Sequence, residues 1–79
     1  MNPARKEPDV STYSGRFAVR LRTLREKKGL AVQEVADAVG VAKSTVYHWE
    51  TGHVAPPVDT YPKLAETFGV KVRTLFPES

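Results

Sequence analysis

A chain of 79 residues holds one domain around one small core with little stability in reserve, and without cysteine it has neither a disulfide framework nor a thiolate zinc site. No apolar run approaches the ~20 residues that span a bilayer, and MNPARKEPDV lacks the apolar middle of a secretory signal, so a soluble, cytoplasmic protein is expected. The net charge of +3 is uneven: residues 15–28 carry Arg16, Arg20, Arg22, Arg25, Lys27 and Lys28 against Glu26 alone, either a phosphate-facing surface or a plainly solvated basic helix.

Residues 1–14 hold two prolines and no periodic apolar pattern, and read as a flexible, electrically neutral arm. From Gly15 to Lys28, Phe17, Leu21 and Leu24 recur at steps of four and three, which is one face of a helix. Lys27 and Lys28 suit its C-terminal dipole, and Gly29 supplies a left-handed stop. Leu30 is expected as a buried hinge. A second helix fits Val32 to Val39, with Val35, Ala36 and Val39 inward and Gly40 ending it. A third fits Ala42 to Thr51, with Val46 and Trp49 inward and Gly52 ending it. Pro56 and Pro57 force a loop. A fourth helix begins near Asp59 or Thr60, either of which can cap it, with Pro62 tolerated in its first turn. Its apolar face is Tyr61, Leu64, Ala65 and Phe68, and Gly69 stops it. Val72, Leu75 and Phe76 predict a short fifth helix before Pro77. Strand alternation and internal repeats are lacking, so the fold expected over residues 15–77 is all-α, a compact five-helix domain.

The informative stretch is residues 30–52, LAVQEVADAVGVAKSTVYHWETG. Two short helices flank Gly40, whose freedom at positive φ permits a tight turn, and small Ala36 lets the two helices approach closely. That is the mechanical specification of a helix-turn-helix, about residues 32–51. With LRTLREKKGL before it and KLAETFGVKVRTLF after it, the chain resembles the Cro/CI-type (XRE, lambda-repressor-like) family from about Gly15 to Phe76. The resemblance implies a five-helix fold whose third helix enters the DNA major groove.

Carried over position by position, Lys43 and Ser44 match the principal base-reading positions. A lysine can donate to guanine O6 and N7, and a serine can donate or accept. A cation at a helix start is disfavoured by the helix dipole, so a phosphate or base partner explains Lys43 better than solvation does. Tyr47 and His48, one turn later, match groove-facing positions, while Thr45 matches a packing or phosphate contact. Trp49 belongs in the core by its spacing from Val46. Arg25 and Glu50 match positions that form a buried ion pair between the first and third helices. Phosphates are expected at the backbone N–H groups of Val32 and Gln33, which begin the second helix, and at the loop Thr51-Gly52-His53. The chain departs from the family pattern at the helix caps, where Ala31 and Ala42 replace hydroxyl side chains, and Gln33 is a candidate partial substitute.

An enzyme is the first rival class. His48, Glu50 and His53 suggest a metal cluster, yet the two histidines flank a helix end and Glu50 already has a partner. No nucleophile-base pair or phosphate-cradling glycine loop accompanies them, so neither catalysis, nor a metal, nor a cofactor is expected. The second rival keeps the fold but gives its main surface to a protein, as in an antitoxin-like module. The reading favoured is a sequence-specific regulator of transcription, a repressor by steric block, without a small-molecule effector. Four readers per helix imply a homodimer on a palindromic operator, formed on DNA if weak in solution; Val72, Leu75 and Phe76 are the expected interface, the alternative being that they close the monomer core, as Leu75 at least is expected to do.

Overall fold

The computed structural model describes residues 8–77. Its α-helices are α1 (Tyr13–Lys28), α2 (Val32–Val39), α3 (Lys43–Glu50) and α4 (Tyr61–Phe68), with 3-10 turns at Val58–Thr60 and Val72–Leu75. Among the described residues there is no strand, as the all-α expectation requires. The fifth helix is reduced to the 3-10 turn Val72–Leu75, after which Phe76 is extended at φ −76° and ψ 133°. Pro77 gives the reason, since the ring of a proline disfavours helical backbone at the residue before it. No helix among the described residues is long and apolar enough to cross a membrane.

Helix α1 begins two residues before the expected Gly15, because Thr12 caps it. The Thr12 hydroxyl accepts the Gly15 N–H at 3.0 Å and donates to the Asp9 carbonyl at 2.9 Å. The Asp9 carboxylate accepts the Ser11 hydroxyl and N–H, which holds its pKa below the usual carboxylate value. Residues 9–12 are thus a hydrogen-bonded turn rather than part of the arm expected over residues 1–14. Residues 1–7 of that arm lie outside the described residues. Gly15 is required by this turn: any Cβ there would collide with the Asp9 carbonyl.

The core gathers Phe17, Leu21 and Leu24 of α1, Val35 and Ala36 of α2, Val46 and Trp49 of α3, and Leu64, Ala65 and Phe68 of α4, closed by Leu75. Leu30, Val39 and Val41 pack at its edge half-buried, so Leu30 is an edge residue rather than a buried hinge. Phe17 anchors an aromatic cluster, with Tyr61 at 5.6 Å and Phe76 at 6.3 Å between ring centres, and Tyr61 meets Phe76 edge-on at 5.4 Å. Leu75 is fully buried and Phe76 is committed to this cluster. The C-terminal apolar group therefore closes the monomer core. Of the interface expected at Val72, Leu75 and Phe76, only Val72 is exposed, at 38%.

Helix α4 is entered through the first 3-10 turn instead of a side-chain cap. Neither Asp59 nor Thr60 caps it, and the Thr60 hydroxyl donates to the Pro57 carbonyl at 2.6 Å. The cations of α1 do not share a face either, since successive helical residues rotate by about 100°. Arg16 and Arg20 line an open groove with Val10, Val19, Thr23 and Pro77, while Arg25 reaches Glu50 of α3.

Candidate nucleic-acid interface

The turn between α2 and α3 is built on Gly40. Its φ of 84° lets its own N–H and that of Val41 both bond to the Ala36 carbonyl, at 2.8 and 3.0 Å. A Cβ on Gly40 would meet nothing within 4 Å, so the requirement is conformational and not steric. Ala36 itself is fully buried.

Helix α3 divides into two faces. Val46, Trp49 and Glu50 are buried, whereas Lys43, Ser44, Tyr47 and His48 form one exposed strip and Thr45 lies half-buried at its margin. The four exposed residues stand at the spacing i, i+1, i+4 and i+5, which places them on adjacent turns of a single face. The Lys43 ammonium lies 5.8 Å from the centre of the Tyr47 ring, within cation–π range. The strip carries no acid, so its field is positive towards an approaching polyanion.

What orients this face is the guanidinium of Arg25. Its Nε donates to Glu50 Oε2 at 2.7 Å, its Nη2 to Glu50 Oε1 at 3.1 Å, and its Nη1 to the Leu30 carbonyl at 2.8 Å. One side chain thereby joins α1, the link into α2, and α3. Glu50 is 7% exposed, and its hydrogen bond to Arg25 holds that guanidinium's pKa above its usual value in spite of desolvation. The contact to Leu30 has no sequence signature, because any residue there would offer the same carbonyl.

The two helix starts are open to an anion in different degrees. Neither Ala31 nor Ala42 can cap through its side chain. At α2 the Glu34 carboxylate compensates by accepting the Ala31 N–H at 2.7 Å, half of a reciprocal capping pair. Gln33 does not take this part, since its amide donates to Asp37 at 2.8 Å. The N–H groups of Val32 and Gln33 open α2, with no intrahelical acceptor available to them.

The loop after α3 behaves otherwise. Three of its backbone N–H groups are used internally: Thr51 on Tyr47 at 2.9 Å, Gly52 on Trp49 at 3.3 Å, and His53 on His48 at 3.0 Å. The Thr51 hydroxyl also donates inward, to the His48 carbonyl at 3.2 Å. The N–H groups of Thr51 and Gly52, expected to meet phosphate, are therefore held within the turn, while the His53 ring stands on an exposed residue. Only the backbone trace of the turn, which residue identities do not fix, determines this.

A profile of the HTH_3 helix-turn-helix family matches residues 21–75. The transcriptional repressor RstR of the cryptic phage CTXphi, from Vibrio cholerae, is 36% identical over 63 residues, covering 80% of this chain and 57% of its own length. The chain thus spans little more than half of that relative. Among solved structures, the restriction-modification controller protein C.AhdI from Aeromonas hydrophila superposes with a TM-score of 0.72 at 34% identity, over 77% of this chain and 92% of that one. Hydroxypropylphosphonic acid epoxidase from S. wedmorenis also superposes, with a TM-score of 0.73 at 26% identity, but over only 35% of its own chain. The likeness to that enzyme is therefore to a minor portion of it. With the buried Arg25–Glu50 tether, the Gly40 turn and the profile match in agreement, the chain belongs to the Cro/CI-type (XRE) helix-turn-helix family.

Proposed function

We propose that this chain is a sequence-specific, double-stranded-DNA-binding regulator of transcription that lays α3 in the major groove. The observation that carries the reading is the exposed strip Lys43, Ser44, Tyr47 and His48 on a helix whose buried side is tethered by Arg25. In this reading Lys43 and Ser44 address base edges from the first turn of α3. Tyr47 contacts a thymine methyl or a phosphate, and His48 donates to a base. The N–H groups of Val32 and Gln33, with Thr45 and the His53 ring at the margins, hold the phosphate backbone. The repressor name of a relative supports steric repression as the mode of action.

The same reading includes a homodimer on a palindromic operator. Mismatches cost about 1–3 kcal/mol per base pair, so four readers discriminate poorly against a genome, and two copies double the contrast. Half-sites would then lie ~34–36 Å apart, one DNA turn. The experiment is selection of bound duplexes from a random pool, followed by affinity measurement across salt concentrations. Binding should converge on a two-fold motif, and log K should fall by about 0.9 per phosphate neutralised. No enrichment, together with a flat salt dependence, overturns DNA binding.

A further inference from the structure

The rings of His48 and His53 meet across the end of α3, with centroids 5.4 Å apart and planes inclined by 49°. In the sequence the two stand on either side of a helix end, yet the turn brings them together. The His53 N–H and the Thr51 hydroxyl both donate to the His48 carbonyl, at 3.0 and 3.2 Å, and Gly52 reverses the chain at φ 82°. Both rings are on exposed residues. Neither is needed to fill the core, and the backbone that spaces them is fixed by those bonds.

Their separation has a chemical meaning. Zinc binds a histidine nitrogen at about 2.0–2.1 Å, and a ring nitrogen lies ~1.1 Å from the ring centre, so two imidazoles on one tetrahedral ion have centres ~5.2 Å apart. The 5.4 Å observed here allows that arrangement, in which each exposed ring turns one nitrogen towards a shared ion. From this geometry we infer that His48 and His53 form a two-imidazole clamp for a divalent ion of the zinc class. Imidazole nitrogen suits Zn²⁺, Ni²⁺ and Cu²⁺, and not the oxygen-seeking Mg²⁺ and Ca²⁺.

Among the described residues, no third histidine, cysteine or acid completes the group. Glu50, nearest in sequence, has both oxygens on Arg25. The ion therefore keeps two open positions and exchanges with solvent; it is no structural staple. Resting on the DNA reading above, the clamp also ties recognition to metal. A bound ion takes one His48 ring nitrogen and holds that ring towards His53, away from its free choice of base partner, and it adds positive charge to the strip. Discrimination between sites should fall while affinity for any duplex rises.

Titrating the chain with Zn²⁺, followed by calorimetry and by the imidazole resonances, should give saturable one-to-one binding in which both rings respond together. His48→Ala and His53→Ala should each abolish it, and Lys63→Ala should leave it intact. Absence of saturable binding, or binding that survives either histidine substitution, overturns the site. Affinities for a selected duplex and a random one, measured with and without saturating Zn²⁺, test the link. Their ratio should fall several-fold with zinc, and an unchanged ratio overturns it. If no duplex is bound at all, the DNA reading fails, while the zinc titration still judges the clamp.

Discussion

Glu50 presents both carboxylate oxygens to Arg25, one on Nε and one on Nη2, and it is the one charged side chain buried among the described residues. Removing either partner strands the other in a desolvated site. Arg25→Ala or Glu50→Ala should therefore lower folding stability by about 3–5 kcal/mol. Denaturant unfolding should show this as a lower midpoint with an unchanged slope. Arg25→Lys should recover little, because an ammonium cannot span two carboxylate oxygens and the Leu30 carbonyl at once. Losses under 1 kcal/mol in both alanine variants would mean that the pair is solvated and tethers nothing.

Lys43 separates base reading from phosphate attraction. Lys43→Ala should weaken the selected site by about 1–3 kcal/mol and relax preference at one base pair. Lys63 makes a 3.2 Å surface pair with Glu66 on α4, and Lys63→Ala should change neither. Competition binding against single-base variants of the site reads both effects. Equal loss on specific and random duplexes would reduce Lys43 to a phosphate contact.

The alanine caps offer a gain in stability. Ala31 and Ala42 already have the extended backbone of a cap residue, at φ −79° and ψ 158° and at φ −72° and ψ 151°. Ala42→Ser should stabilise the fold by ~1 kcal/mol by accepting an N–H at the start of α3. Ala31→Ser should complete the pair that Glu34 half-builds, with a gain of similar order. Thermal melting checks both. If neither rises, the serine side chains have failed to reach the helix N–H groups.

How far the sequence discloses this molecule depends on which bonds carry each feature. Helix α2 runs over the expected Val32–Val39, because its apolar spacing and Gly40 are both side-chain signals. The start of α1 was hidden, since Thr12 caps it only once Asp9 has anchored a turn. The fifth helix failed at Phe76, where the constraint imposed by Pro77 outweighs apolar periodicity. The exposed strip of α3 follows from helical spacing around Val46 and Trp49. The pairing of Arg25 with Glu50, 25 positions apart, was legible only through family resemblance. The spent N–H groups of Thr51 and Gly52, and the meeting of His48 with His53, depend on a loop backbone that no local pattern specifies.

Leu75 and Val72 distinguish core closure from self-association at the C-terminal turn. Leu75 is fully buried with Phe17 and Leu64, so Leu75→Ala removes interior volume and should cost about 2–5 kcal/mol. That loss belongs to the monomer, and the melting temperature should fall equally at low and high protein concentration. Val72 is exposed, and Val72→Ala should leave the melting temperature within a degree or two, since surface changes usually stay within about 0.5 kcal/mol. Sedimentation of both variants with and without the selected duplex completes the comparison. On the proposed dimer, two wild-type copies should occupy one two-fold site, and Val72→Ala should leave that stoichiometry unchanged if the C-terminal turn is not the interface. The opposite outcome is specific: a Leu75→Ala variant that melts like wild type but loses its second copy on DNA would return the interface to this turn and contradict the buried placement of Leu75.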